Sequence, residues 1–405
     1  MQRTYSYFIN EHLQNDRQML FLIGPRQVGK TTISKLAEDL RSKGDFFYFN
    51  WDNSEHQQLI ISGGLHIIKA LGIKPILGKK QTLIVFDELH KFGKWKQFIK
   101  GFFDTYEGVV KIIITGSARL DLYKKQGDSL MGRYFCYHIH PLSIREIIRP
   151  RVDHAEIAEP LLIPQETFLQ LLNFGGFPEP FTKQNIRFSN KWHSLREYQL
   201  FREDLRDLTQ IQELAQIEFL GTLLQEQAGQ LINYTNLAKT IKVSVPTVIR
   251  WMNCLENFYF CFKVQPWFNN VKRSLVKEPK IYLWDWSLIK NPGMRAENFV
   301  ASHLLKAVHF WQDLGLGNYQ LNFMRNKEKQ EVDFLIVKNN TPWMLIEVKL
   351  SNKTSLNQSL FSFKKEINAK HAFQLVFDLP STKDNCFNTT EPIIVPVQNF
   401  LSQLV

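Results

Sequence analysis

A glycine-rich segment, GPRQVGKT at residues 24–31, limits the folds open to this chain. It follows the apolar run MLFLI, precedes the helical pattern TTISKLAEDL, and matches GxxxxGK[ST]. Glycines at both ends of the loop let backbone N–H groups curl around phosphate oxygens, and the start of the next helix adds partial positive charge. The segment therefore predicts a phosphate-binding loop between a strand and a helix.

The loop is expected to bind ATP together with Mg²⁺. Lys30 would place a point charge on the β and γ phosphates, and the Thr31 hydroxyl would ligate the Mg²⁺ ion. The predicted nucleotide-binding residues form one continuous run: Gly24, Pro25, Arg26, Gln27, Val28, Gly29, Lys30, Thr31 and Thr32.

A pair of acidic residues further along the chain supports the same chemistry. In the run LIVFDE, residues 83–88, four apolar residues are followed by two acidic residues, which lie at the end of a predicted strand. Asp87 is placed to hold the water shell of Mg²⁺, and Glu88 is placed to polarise the attacking water as a general base. A strand that merely ends in solvated acids is the alternative, which the preceding phosphate loop disfavours.

Apolar runs and helical patterns alternate over the first 140 residues. Dense apolar runs of this kind are typical of strands buried on both faces of a parallel sheet. Alternating strands and helices, with helical stretches at 31–43 and 95–107, imply a three-layer α/β domain. The predicted strands are 19–24, 45–50, 82–88, 111–117 and 134–140.

Several motifs in order resemble a known group of proteins. GPRQVGKTT, LIVFDELHKFGKW, IIITGSARL and MGRYFCYHIHPLSIREI are followed by GGFPEPF, FREDLRDL and EVDFLI. This series resembles bacterial and archaeal ATPases that fuse an AAA+ domain to a C-terminal domain of unknown function. The resemblance covers roughly residues 1–390 and implies ATP binding, ATP hydrolysis and a DNA-linked C-terminal region, without supplying a biological role.

The resemblance also suggests two further catalytic residues. In AAA+ proteins the strand beside the acidic strand ends in a polar residue that orients water, a role that Ser117 or Thr115 could take here. Arg133, just ahead of the last predicted strand, is a candidate for stabilising charge at the γ-phosphate. It could act within its own subunit or on a neighbour, and the second case would require a homo-oligomer.

Residues 211–290 predict three helices followed by short strands, which resembles a winged helix-turn-helix. In the third helix Ser244 is a suitable N-cap, while Val248, Trp251 and Leu255 have the spacing of a buried face. That helix would read the DNA major groove, and the basic stretch NNVKRSLVKEPK would form a wing that contacts phosphates. The alternative is a module that only packs against its neighbours.

Residues 291–405 have the order α–β–β–β–α–β and resemble the PD-(D/E)xK nuclease fold. Glu297, Asp333 and Glu347 would hold Mg²⁺, and Lys349 would orient the attacking water. Three alternatives remain open: an active nuclease, a nuclease-like fold that only binds DNA, and an unrelated α/β fold in which Glu347 and Lys349 form a surface ion pair.

Charge and composition bear on partners and location. The formal net charge of +11 favours a polyanion such as DNA, although many soluble proteins are basic for no specific reason. No run of eighteen apolar residues occurs, so we expect no membrane partner. The four cysteines lack CxxC spacing, which predicts reduced thiols and a cytoplasmic location.

Together these patterns predict an α/β protein with three parts. They are an AAA+ type P-loop domain with a helical lid (1–210), a winged-helix-like module (211–290) and a PD-(D/E)xK-like domain (291–405). The predicted function is ATP binding and hydrolysis acting on duplex or branched DNA, by remodelling, translocation or branch migration, with Mg²⁺-dependent cleavage as an option. The alternative is a nucleotide-controlled oligomeric switch with an inactive nuclease-like domain and a protein partner.

Overall fold

The computed structural model describes residues 2–39, 45–74, 81–116, 130–151, 154–208, 213–267, 278–351 and 355–405. The chain divides into two units, Met1–His140 and Pro141–Val405, each of which holds most of its contacts internally. None of the helices in these ranges has the length and apolar character that crossing a bilayer requires.

The first unit is built on a sheet of five parallel strands. Each strand begins and ends within two residues of its predicted run. The three central strands are buried along their whole length, as continuous apolar runs predict, whereas the two edge strands are mostly half-buried. Their order across the sheet is β2-β3-β4-β1-β5. The strands are β1 (Met19–Ile23), β2 (Phe46–Asn50), β3 (Thr82–Asp87), β4 (Val110–Thr115) and β5 (Tyr134–His138).

Helices accompany these strands, as the alternating pattern predicts, and the α/β prediction for this unit is confirmed. The core of the unit includes Phe21, Phe86 and Ile114 from the sheet and Phe102 from a helix. The helices are α1 (Tyr5–Asn15), α2 (Lys30–Asp39), α3 (Ser54–Ser62), α4 (Gly64–Ala70) and α5 (Trp95–Tyr106).

Parallel pairing aligns the carboxyl ends of the central strands. Leu22 of β1 lies beside Thr115 of β4, and Thr115 lies beside Asp87 of β3. Asn50, the last residue of β2, lies beside Asp87 on its other side. The phosphate loop, the acidic strand end and the polar strand end therefore share one edge of the sheet.

The second unit begins with a helical segment that was predicted to be the lid of the P-loop domain. Its residues belong to the compact unit that starts at Pro141, and the assignment of a lid stays a prediction. A π-helical turn, Gln199–Asp204, joins the last two helices. The helices are α6 (Ile144–Ile148), α7 (Gln165–Phe174), α8 (Pro178–Lys183), α9 (Ile186–Tyr198) and α10 (Leu205–Leu208).

Three further helices precede a hairpin, which is the element order predicted for residues 211–290. Val248, Trp251 and Leu255 are fully buried in the core of this module, and the Ser244 hydroxyl accepts a hydrogen bond from Thr247 N at 3.3 Å, as an N-cap does. The elements are α11 (Leu214–Glu226), α12 (Tyr234–Ile241), α13 (Val245–Asn257), β6 (Cys261–Pro266) and β7 (Lys280–Leu283).

The hairpin of β6 and β7 is part of a larger sheet. Strand β6 also pairs in parallel with β8, so that seven strands form one sheet in the order β12-β11-β10-β9-β8-β6-β7. The predicted sequence of one helix, three strands, one helix and one strand is present. The remaining elements are α14 (Pro292–Asp313), β8 (Tyr319–Arg325), β9 (Glu331–Lys338), β10 (Thr341–Lys349), α15 (Gln358–Ile367), β11 (His371–Val376), β12 (Ile393–Pro396) and α16 (Val397–Ser402). Boundaries at 210 and 290 remain predictions.

Gly24 is required where the phosphate loop leaves β1. Its φ is +147°, and a Cβ at this position would lie 2.2 Å from the carbonyl oxygen of Ile139. We expect Gly24→Ala to destabilise the first unit by about 2–4 kcal/mol, because the backbone has to shift. Gly101→Ala, in α5 with nothing within 4 Å, is the control and should stabilise by about 0.5–1 kcal/mol. Thermal denaturation measures both, and equal melting temperatures for the two variants would contradict the assignment.

Candidate functional site

The loop after β1 has the backbone conformation that a phosphate cradle needs. Gly29 has φ +93° and Gln27 has φ +63°, so successive residues turn their backbones inward. The Lys30 ammonium, 7% exposed, donates to the carbonyl oxygens of Gly24 at 2.8 Å and of Pro25 at 2.6 Å. The ammonium thus lies over the loop at the start of α2.

Arg3 supports the loop from beneath, and sequence reasoning missed it. Its guanidinium donates to the carbonyl oxygen of Val28 and, at 2.6 Å, to that of His140. The side chain is buried, and a single arginine at the start of a chain gives no pattern that would reveal this contact. Arg3 therefore ties the loop to the end of β5.

Three hydroxyl groups surround the Asp87 carboxylate. Thr31 Oγ1 donates to Asp87 Oδ2 at 3.0 Å, Tyr48 Oη donates to the same oxygen, and Thr115 Oγ1 donates to Oδ1. Burial, and then the charge of Asp87, raise the pKa of Tyr48, which keeps its hydroxyl protonated. Thr31 and Asp87 present the paired oxygen ligands that Mg²⁺ takes in P-loop proteins, so these residues fit that ion.

Glu88 lies beside this carboxylate in a left-handed conformation, with φ +55°. Its amide donates to the carbonyl oxygen of Thr115 at 3.1 Å. Glu88 Oε2 lies 3.6 Å from His90 Nε2 and 3.6 Å from Lys91 Nζ. Burial lowers the pKa of His90, although the Glu88 charge opposes this shift. The predicted base is therefore held between an imidazole and an ammonium group.

One of the predicted catalytic residues, Arg133, is not brought to this edge, and another, Ser117, lies outside the described residues. Thr115, the alternative to Ser117, reaches Asp87. Arg133 precedes β5, and its carbonyl oxygen accepts a hydrogen bond from Met19 N at the amino end of β1. That edge lies about 13 Å from the phosphate loop, at about 3.3 Å per strand residue.

Arg133 was expected to act on a γ-phosphate of its own subunit or of a neighbour, and the structure does not bring it to its own phosphate loop. Its guanidinium instead pairs with Asp104, with Nε 2.8 Å from Oδ1 and Nη2 3.0 Å from Oδ2. The pairing lowers the pKa of Asp104. Because Arg133 precedes β5 and the sheet is parallel, it lies at the amino ends of the strands, whereas the phosphate loop follows the carboxyl end of β1. A role toward a neighbouring subunit stays a prediction.

The second unit gathers the acidic residues predicted for a nuclease site. Glu297 lies on α14, Asp333 on β9 and Glu347 on β10. Asp333 Oδ2 accepts a hydrogen bond from Val348 N at 2.9 Å, and Lys349 Nζ donates to Glu347 Oε1 at 2.6 Å. Asp333 and Glu347 thus belong to neighbouring strands, as the hairpin pattern predicts.

An ammonium group that sequence reasoning missed stands among these carboxylates. Lys280 Nζ lies 2.6 Å from Glu331 Oε1, 3.0 Å from Glu297 Oε1 and 3.4 Å from Asp333 Oδ1. Burial lowers the pKa of Lys280, but the three carboxylates outweigh burial and raise it, so the ammonium stays charged. Among the described residues, no group of three or more His, Cys, Asp or Glu side chains is arranged to hold a metal ion, the predicted trio included.

Burial also raises the pKa values of two of the carboxyl groups predicted for the nuclease site. Burial, together with the charge of Asp333, raises the pKa of Glu297 to about 7, although Lys280 and a hydrogen bond from Tyr282 oppose the rise. Burial and the Asp333 charge also raise the pKa of Glu347. Each extra negative charge in this cluster is therefore costly, and a cation is needed to offset it.

The third helix of the middle module presents a polar face. Arg250 and Asn253 of α13 are exposed, and so are Lys239 and Lys242 at the end of α12. Asn253 also accepts a hydrogen bond from Lys263 at 2.9 Å. Most of the predicted basic wing, residues 268–277, lies outside the described residues, while Lys280 beyond it is buried in the acidic cluster.

Comparison with known families divides the chain into three matched segments. Residues 16–148 match an AAA domain, residues 165–293 match a domain of unknown function (DUF8612), and residues 292–396 match another (DUF4143). The first match covers the phosphate loop, Asp87 and Glu88. Residues 16–148 therefore carry a P-loop domain of the AAA type.

Relatives and solved structures add little about activity. An uncharacterized protein of Mycobacterium tuberculosis is 23% identical over 85% of this chain and 73% of its own length. One of Methanocaldococcus jannaschii is 23% identical over 86% of this chain and 79% of its own. AMPPCP-bound DnaA of Aquifex aeolicus is 15% identical, with a TM-score of 0.32 over 62% of this chain and 87% of its own. The RuvB Holliday junction branch migration motor of Thermotoga maritima is 12% identical, with a TM-score of 0.29 over 65% and 90%. Scores this low describe only a loose likeness.

Tyr48 offers a test of the Asp87 environment. We expect Tyr48→Phe to raise the Mg²⁺ concentration needed for half-maximal binding of a fluorescent ATP analogue by about threefold to tenfold, because Asp87 loses one of the hydrogen bonds that orient it. Tyr106→Phe, which removes a hydroxyl from α5, is the matched control and should leave the titration unchanged. An unchanged or lower requirement for Mg²⁺ in Tyr48→Phe would show that this hydroxyl does not position Asp87.

Proposed function

We propose that this chain, whose residues 16–148 carry an AAA-type P-loop domain, binds and hydrolyses ATP and couples turnover to DNA held by its second unit. One observation supports the ATPase part above all. The parallel sheet brings Lys30, Thr31, Asp87 and Glu88 to one edge, with Thr31 Oγ1 3.0 Å from Asp87 Oδ2. These are the group types that phosphoryl transfer to water requires.

Each residue of the site has a part in the proposed reaction. Backbone N–H groups from Gly24 to Thr31 hold the phosphate oxygens, and Lys30 leaves its loop carbonyls to contact the β and γ phosphates. Thr31 and Asp87 would hold Mg²⁺, which would supply positive charge to offset that of the phosphates. Glu88 accepts a proton from the attacking water, and Thr115 fixes the orientation of Asp87.

DNA binding is supported by charge and by the exposed face of α13. The chain carries a net charge of +11, and Arg250, Asn253, Lys239 and Lys242 are exposed together on α12 and α13. A helix with such a face can enter a major groove while the lysines contact phosphates. We infer that duplex or branched DNA is the substrate, and that remodelling, translocation or branch migration is the outcome.

Arg133 would complete the ATP site of a neighbouring copy in this proposal. Its guanidinium lies on the edge of the sheet away from its own phosphate loop, so only another subunit's nucleotide could reach it. The active form is then a homo-oligomer, and Arg133 has to leave Asp104 to act.

A second candidate is a nucleotide-controlled oligomeric switch that works through a protein partner. The contacts of Glu88 favour it, because Oε2 lies 3.6 Å from both His90 and Lys91. In a switch of this kind Glu88 would stay beside the Lys91 ammonium and the His90 imidazole until a partner releases it. Tight nucleotide retention with negligible turnover would distinguish this switch from a motor.

Substitution of Glu88 separates binding from turnover. We expect Glu88→Gln to keep ATP binding and to lower the hydrolysis rate by about 100-fold or more, since it keeps the shape but removes the base. Glu55→Gln, an exposed change in α3, is the control.

Lys30→Ala should abolish nucleotide binding. Both effects are measured by fluorescent-nucleotide titration and phosphate release, and normal turnover in Glu88→Gln would rule out the assignment of the base.

DNA coupling is tested by the ATPase rate with duplex, single-stranded and four-way-junction DNA at low salt. We expect stimulation by one of these shapes. Arg250→Ala should weaken DNA binding and lower the slope of log affinity against log salt by about 1, the contribution of one phosphate contact. Arg187→Ala, an exposed change in α9, is the matched control. No stimulation by any shape would remove the DNA motor and leave the switch as the better proposal.

A further inference from the structure

The acidic cluster of the second unit already contains a cation that the chain supplies. Lys280 Nζ lies within 3.4 Å of one oxygen from each of Glu331, Glu297 and Asp333. The side chain is 4% exposed. We propose that the Lys280 ammonium takes the place of a divalent metal among these carboxylates, so that the cluster does not support metal-dependent cleavage of DNA. The inference deepens the DNA-directed part of the proposed function and does not depend on ATP hydrolysis.

The oxygens that would ligate a metal are occupied by donors from the chain. Glu297 Oε1 accepts hydrogen bonds from Lys280 at 3.0 Å and from Tyr282 Oη at 2.6 Å. Asp333 Oδ1 faces Lys280, and its Oδ2 accepts from Val348 N at 2.9 Å. Mg²⁺ binds oxygens at about 2.0–2.1 Å in octahedral geometry, so it would have to displace these donors.

Electrostatics make it unfavourable for both cations to occupy the cluster. A metal ion bound by Glu297 and Asp333 would lie only a few ångströms from the Lys280 ammonium. Like charges at about 4 Å repel by about 4 kcal/mol per unit charge at an effective dielectric constant of 20, and a divalent ion doubles this. The backbone of Lys280 pairs with both Val264 and Leu231, which fixes the point from which its buried side chain extends.

Glu347 and Lys349 do not provide a separate metal site. Glu347 Oε1 accepts hydrogen bonds from Lys349 at 2.6 Å and from Asn357 at 2.9 Å. Its Oε2 is buried and accepts no hydrogen bond from the part of the chain that the structure describes. One free carboxylate oxygen does not hold a divalent ion, and Lys349, predicted to orient the attacking water, is bound to Glu347 instead.

The position of Lys280 follows from the way the hairpin joins the sheet. Strand β6 pairs with β7 on one side and with β8 on the other. The Lys280 Nζ lies 5.7 Å from the ring centroid of Phe323 in β8. Gly229 leaves room on the opposite side, since a Cβ there would lie 3.2 Å from Glu297 Oε1. The middle module therefore supplies the residue that neutralises the C-terminal domain.

The test measures binding of Mn²⁺ to the full chain in the absence of nucleotide. Electron paramagnetic resonance detects the bound ion. Asp87→Asn is present in every variant to remove the cation site of the first unit. We expect the parent to bind no Mn²⁺ at the acidic cluster. Lys280→Met should gain one bound ion with at least about tenfold higher affinity than the parent, because the competing charge is gone. Adding Asp333→Asn to Lys280→Met should abolish the gain.

Two results would overturn the inference. The first is a Lys280→Met chain that folds, as judged by circular dichroism, yet binds no more Mn²⁺ than the parent. The second uses the unmodified chain and so does not depend on the folding of a variant: Mg²⁺- or Mn²⁺-dependent cleavage of duplex, single-stranded or junction DNA that Asp333→Asn abolishes. ATP hydrolysis measured on the same samples reports separately on the first unit.

Discussion

Parallel strand pairing in the first unit is the constraint from which its chemistry follows. In a parallel sheet every carboxyl end lies on the same edge, so the register that sets Thr115 beside Asp87 and Leu22 beside Thr115 also fixes where the phosphate loop begins. The three hydroxyl groups around Asp87 come from α2, β2 and β4, which are far apart in sequence. A shift of one residue in any pairing would turn these side chains away from the carboxylate.

A different pairing organises the second unit. The hairpin of the middle module extends the C-terminal sheet through β6 and β8, and so a lysine from one predicted domain neutralises the carboxylates of another. Burying charges is costly unless they are paired, and here one ammonium contacts three carboxylates. The two segments that match different domains of unknown function therefore share one sheet and one ionic cluster.

Much of the first unit could be predicted because its signals are local. Apolar runs identified all five strands, and the phosphate loop and acidic pair were found from their spacing. Tyr48 and Arg3 were not found, because each acts through a partner distant in the chain and neither belongs to a periodic pattern. For Arg133 the chain order does indicate the amino end of β5, but whether a neighbouring subunit's nucleotide meets it there depends on an assembly that one sequence does not specify.

The sequence alone determined the secondary structure of the first unit, the residues of the phosphate loop and the order of elements in the second unit, since these depend on apolar periodicity, glycine conformation and residue spacing. Tertiary structure decided which charges meet. Lys280 precedes Asp333 by more than fifty positions, and Glu331, Glu297 and Asp333 reach it only because the sheet continues across the middle module. Electrostatic energy depends on distance in space, and the chain order of charged residues does not contain that distance.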